Sequence, residues 1–120
     1  MKHSRLWTLH LACGVVLLGV MALHMGTFHL ERLLNWYGPH PLSFESVMAR
    51  GKQMLYLLIY LPGLAAGLYH GFYGLNRIAA ELGMGERAEK AVSGLLLISG
   101  VAIFVFGAYV TVKTFVLGSP

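Results

Sequence analysis

Two histidines, His24 and His70, lie inside apolar segments long enough to cross a bilayer. An ionisable side chain is kept in hydrocarbon where it lines a pathway or binds something, so each is a functional candidate. At about 1.5 Å of rise per residue, His24 stands roughly 27 Å above Leu6, and His70 roughly 12 Å above the end of its own segment near Ile78. A depth difference of about 15 Å is too large for one iron to be bound by both. Imidazoles at two levels match two stacked haems, each taking one of them. His29, about one and a half turns beyond His24, is the rival outer ligand. Its plainer role is contact with headgroups or water.

Glycines accompany both histidines. In PGLAAGLYHGFYGLNR, Gly63, Gly67, Gly71 and Gly74 recur at spacings of four and three, which puts them on one helical face with His70. Two readings are open. The stripe lets the edge of a flat macrocycle approach the backbone beside an iron-binding imidazole, or it is a small-residue seam between helices with the histidine hydrogen-bonded across it. In the first segment Gly14 precedes His24 by ten residues, near three turns, so Gly14, Met21 and His24 share a face.

The elements that carry these residues follow from composition. The chain has 120 residues, 57% hydrophobic and 12% charged, with mean hydropathy +0.66. Soluble domains carry about 25% charged residues, so this is an integral membrane protein. Spans are expected over residues 6–29, 54–76 and 91–116, each near the ~20 residues a bilayer core requires. Lipid cannot satisfy bare backbone groups, and none of the three alternates like a barrel strand, so all are helices. The start MKHSR resembles a signal peptide, but the apolar run that follows is too long and lacks a small-x-small cleavage site, so the first helix is expected to stay. The fold class is all-α: one transmembrane domain over residues 1–120, three spanning helices, and a short interfacial helix in the first loop.

Charge sets the topology and excludes one class of partner. The net charge of +4 comes from residues flanking the apolar segments, so it serves orientation and lipid headgroups; nucleic acid is not an expected partner. Lys2, Arg5, Arg77, Arg87 and Lys90 outnumber Arg32, Arg50, Lys52 and Lys113 by five to four, which puts the N-terminus in the cytoplasm. In the first loop Trp36 and Tyr37 suit the interface, Gly38-Pro39 turns, and Pro41-Leu42-Ser43 starts a helix through Arg50 with Phe44, Val47 and Met48 toward lipid or protein. Glu86, Arg87, Glu89 and Lys90 form a solvated start to the third helix. The single cysteine, Cys13, offers no intrachain disulfide and reads as a small packing residue.

The residues now on view resemble a family. HGFYGLNRIAAE is similar to the His-x-x-x-Gly-Leu-Arg-Arg…Asp segment on the second transmembrane helix of cytochrome b anchor subunits of succinate dehydrogenase and fumarate reductase (complex II). LACGVVLLGVMALHM resembles the Ser-Gly…His pattern of their first helix, and LSFESVMAR the short helix before their second span, so the likeness covers most of the chain in order and spacing. It implies a haem b-binding anchor of the two-haem type, holding an iron–sulfur subunit and a flavoprotein in the cell inner membrane and passing electrons to or from quinone. His70 then matches the inner haem ligand and His24 the outer one, with Gly14, Gly67, Gly71 and Gly74 around the macrocycles and Arg77 toward a propionate. Each haem would be six-coordinate through two histidines, the other ligand coming from a second membrane-anchor subunit. Ser4, Arg5 and His10 are candidate quinone or propionate contacts; packing or headgroup contact is the alternative.

Three positions depart from the family pattern. Asn76 stands where arginine is usual, Glu81 replaces aspartate, and Leu82 replaces the tyrosine that helps bind ubiquinone, which points to menaquinone. The chain has neither a flavin fingerprint nor a cysteine cluster, so dicarboxylate chemistry belongs to other subunits and this one is a non-catalytic electron-transfer subunit. Two rival functions remain: a haem-poor structural anchor of the same complex, and a small non-redox transport or scaffold protein whose histidines gate protons.

Overall fold

A computed structural model of the chain describes residues 2–35, 40 and 42–118. They form four helices: α1 (Lys2–Leu34), α2 (Phe44–Gly51), α3 (Met54–Glu81) and α4 (Glu86–Gly118). α1, α3 and α4 are long and apolar enough to cross a membrane. The chain is a multi-pass, all-α membrane protein. Trp36, Tyr37, Gly38, Pro39 and Pro41 lie outside the described residues.

Each helix is longer than the span expected within it. α1 continues past His29 through Glu31 to Leu34, α3 runs to Glu81, and α4 begins at Glu86 rather than Ala91. A helix does not have to end where the hydrocarbon does, and the Glu, Arg, Leu, Ala and Lys residues beyond these spans are strong helix formers in water. Their ends carry recognisable stops. Asn35, just after α1, has φ 53°, the left-handed conformation that closes a helix. Gly83, with φ 65°, does so between α3 and α4, where a Cβ would be strained. Ser43 caps α2 by accepting a hydrogen bond from the Ser46 amide at 3.3 Å. The first turn of α4 carries Glu86 and Glu89, which favour the positive end of the helix dipole, and Lys90 pairs with Glu86 at 2.6 Å in solvent.

α3 is the central helix. It packs against α1 on one side and α4 on the other, while among the described residues α1 and α4 do not approach each other. Small residues set these contacts. A Cβ on Gly63 would come within 2.9 Å of Val20 on α1, and one on Gly107 within 2.7 Å of Leu64 on α3. α2 lies across the start of α3 and the end of α4, with Gly51 against Thr114. Of the three residues expected outward, Phe44 and Val47 are exposed and Met48 is half-buried; the opposite side of α2 buries the polar Ser46 and Arg50. No residue in the most apolar stretch of α1 or α4 is buried, so both helices present long outward faces to lipid or protein.

Candidate functional site

The chemistry collects in the seam between α1 and α3. From α1 the seam takes His10, Gly14, Leu17, Val20 and His24, spaced four, three, three and four apart, the rhythm of one face of a helix. Met21 does not share that face: it is 52% exposed, because Val20 takes the place against Gly63. From α3, Gly63, Gly67 and Gly74 receive Val20, Leu17 and His10 respectively. Within this chain the glycine stripe therefore packs as a helix seam with a histidine hydrogen-bonded across it. Gly71 alone of the four has open space around it.

His70 is held from three directions. Its Nδ1–H donates to the carbonyl oxygen of His10 at 3.0 Å. A carbonyl only accepts, so this bond puts the proton on Nδ1 and leaves Nε2 with its lone pair. The His10 ring lies flat on the His70 ring, centroids 4.1 Å apart and planes within 4°. Gly14 closes on the edge, where a Cβ would stand 3.0 Å from Cε1 and 3.2 Å from Nδ1 of His70.

His10 is itself enclosed. Trp7 stacks beside it at 5.5 Å, Tyr73 tilts against it at 5.1 Å, and Gly74 leaves room for its Cε1. His10 Nδ1 is buried and has no hydrogen-bond partner. Nearby, the Tyr69 hydroxyl donates to the carbonyl oxygen of Leu6 at 3.2 Å, fastening α3 to the start of α1.

The second level is built differently. His24 meets the edge of Phe28 at 4.5 Å and of Tyr60 at 5.8 Å, and none of its contacts fixes a ring nitrogen. Fourteen residues separate it from His10, or about 21 Å along the helix. Its rival, His29, is exposed. Above His24, Glu31 is fully buried in an ion pair with Arg50 and accepts a longer hydrogen bond from the Tyr56 hydroxyl at 3.4 Å. The Arg50 guanidinium also sits 4.8 Å from the centre of the Phe28 ring. Sequence reasoning counted Arg50 only toward orientation and gave Glu31 no role. The available signal was a carboxylate and an arginine close to span ends, where such charges are kept chiefly in pairs.

The remaining candidates do not converge on the seam. Ser4 and Arg5 are exposed at the start of α1, and Arg77 is exposed near the end of α3. Asn76 accepts a hydrogen bond from the Ser93 hydroxyl at 2.6 Å, which ties α3 to α4. Among the described residues, no three His, Cys, Asp or Glu side chains gather as they would for a metal held by protein alone. An iron carried in a macrocycle asks the protein for one or two axial ligands only.

Comparison with known proteins adds one relative. The chain is similar to a membrane anchor. Over 95 residues it is 27% identical to a protein of Thermoplasma acidophilum described as a succinate dehydrogenase hydrophobic membrane anchor subunit, covering 78% of this chain and 72% of that one. No family model matches the chain, and no solved structure does.

Proposed function

We propose that this chain is a haem b-binding membrane-anchor subunit of a succinate:quinone oxidoreductase. The likeness to the Thermoplasma anchor and the three spanning helices support the anchor role. The haem reading is carried by one observation: the His10 carbonyl accepts a hydrogen bond from the Nδ1–H of His70, which leaves the lone pair on Nε2 free for a metal. Metal-binding histidines are commonly oriented through a hydrogen bond from their other nitrogen, which fixes the tautomer and raises ligand basicity.

Haem b held by two imidazoles supplies one-electron transfer without an open site for oxygen. His70 fits the inner ligand by this test, and Gly71 is the stripe glycine with free space for a macrocycle edge. Arg77, exposed near the end of α3, is available to a propionate. His24 offers an imidazole at the second level for an outer haem, without the orienting hydrogen bond that His70 has. That difference favours a second reading, an anchor with a single haem at His70. The open faces of α1 and α4 leave room for a second anchor subunit that supplies the remaining ligands, and the iron–sulfur and flavoprotein subunits would dock at the cytoplasmic end. The electron acceptor or donor is a membrane quinone, menaquinone by the absence of the family tyrosine at Leu82, with Ser4, Arg5 and His10 as its candidate contacts.

Redox-titrated optical spectroscopy of the purified complex tests the proposal. Two b-type components are expected, and His70→Ala should remove one while sparing the other. One component in the unmodified complex selects the single-haem reading. A complex without a reducible b-type band overturns haem binding, and loss of neither component in His70→Ala overturns the ligand assignment.

A further inference from the structure

We infer that His10 is a positioning residue whose ring sets the plane of the His70 imidazole. The inference rests on the reading of His70 as an axial haem ligand. The final torsion of a histidine side chain is broad and soft, so a ring held only through Nδ1 can still rock about its hydrogen bond. The ring of His10 removes that freedom. It lies 4.1 Å from the His70 ring with the planes 4° apart, so a rotation of His70 out of plane drives one ring edge into its neighbour. The same residue thus fixes two separate things: its backbone carbonyl selects the tautomer of His70, and its side chain selects the ring plane.

The surroundings of His10 suit a plane-holder better than a hydrogen-bonding group. Trp7 and Tyr73 hold its ring by stacking and tilted contact, and a Cβ on Gly74 would stand 3.4 Å from its Cε1. Among the described residues its Nδ1 is a buried side-chain nitrogen left without a hydrogen-bond partner, a cost that native structures keep mainly where it serves another end. Gly14 completes the clamp from the edge of His70. His70 is therefore confined on one face by an aromatic plate and at its edge by backbone.

Ring orientation has a direct spectroscopic readout. In a low-spin ferric haem with two imidazole ligands, the angle between the ligand planes sets how anisotropic the electron paramagnetic resonance (EPR) spectrum is. Substituting His10→Leu removes the plate, and His10→Phe keeps a flat ring without the nitrogens. In the purified complex, His10→Leu is expected to shift and broaden the lowest-field line of the haem bound by His70, and His10→Phe to return it to its wild-type position. Loss of that haem from the leucine variant, with retention in the phenylalanine variant, supports the inference equally. An unmoved line in His10→Leu, or equal shifts in both variants, overturns it. Should neither variant assemble, electron–nuclear double resonance on the wild-type complex reads the ring's angle through the His70 nitrogens and the Nδ1 proton. A spread of angles there overturns the inference. The two levels fail differently: a wild-type complex with no haem signal sinks the ligand reading and this inference together. A haem that depends on His70 but ignores His10 sinks this inference alone.

Discussion

Arg50, on the short helix α2, reaches across to Glu31 at the end of α1, and both side chains are buried. The pair joins two elements that otherwise meet little, through the most costly kind of contact a protein makes. Removing one partner strands the other charge, which typically costs about 3–5 kcal/mol, whereas replacing both with uncharged groups of similar shape costs much less. Arg50→Met is therefore expected to destabilise the protein strongly. The double variant Glu31→Gln with Arg50→Met should recover most of the loss, as read by thermal denaturation in detergent.

Gly51 fixes the seat of α2 on α4. A Cβ at this position collides with the methyl group of Thr114, a branched side chain whose hydroxyl donates to the Val110 carbonyl oxygen at 2.9 Å. Overpacking against a side chain with little freedom costs about 1–3 kcal/mol, so Gly51→Ala should lower stability by that amount. Adding Thr114→Ser, which removes the methyl, should restore it; a single variant as stable as wild type would contradict the tight seat.

Gly14 is a sensor of His70. An alanine there forces the His70 ring to give by a few tenths of an ångström, since the added carbon would stand 3.0 Å from Cε1. On the haem reading proposed above, Gly14→Ala is expected to keep a haem at His70 with an altered absorption band, and Gly14→Leu to lose it. The haem-to-complex ratio and visible spectrum of the two variants measure both outcomes.

Asn76 stands where the cytochrome b anchors that the sequence resembles usually carry arginine, and the packing gives it a job. It accepts the Ser93 hydroxyl across the α3–α4 contact. Losing one such bond costs about 1 kcal/mol, and the freed hydroxyl can turn to a carbonyl of its own helix. Asn76→Leu should thus be mild. Asn76→Arg, which brings in the residue usual in those anchors, should be the more damaging because it introduces a longer charged side chain where α3 meets α4. Equal stability of the two would remove Asn76 from the interface.

How much of this was readable in the chain varies with the scale of the pattern. Three spans, a capped helix after Ser43 and a solvated start to α4 follow from apolar length, one serine and a charge run, all local signals. The separation of His24 and His70 into levels follows from helical rise alone. The glycine stripe marked the right face of α3, but its spacing suits a macrocycle and a neighbouring helix alike; only packing shows Val20, Leu17 and His10 filling it. The stacking of His10 on His70 joins residues sixty positions apart, and no periodicity within either helix encodes it. Glu31 and Arg50 escaped for the same reason, their meaning lying wholly in their meeting.

The central place of α3 has a consequence for how the sequence can change. Among the described residues α1 and α4 do not approach each other, so over most of their length they are coupled through one rod, α3, and at one end also through α2, which meets α4 at Gly51–Thr114 and α1 at Arg50–Glu31. The histidine side and the α4 side of that rod then behave as separate accounts, and distant substitutions that share no neighbour usually add. A lineage can rework the contacts of Gly100, Gly107 and Ser93 with α3 to suit a new lipid or neighbour, while the seam that holds His10, Gly14 and His70 goes on unaltered.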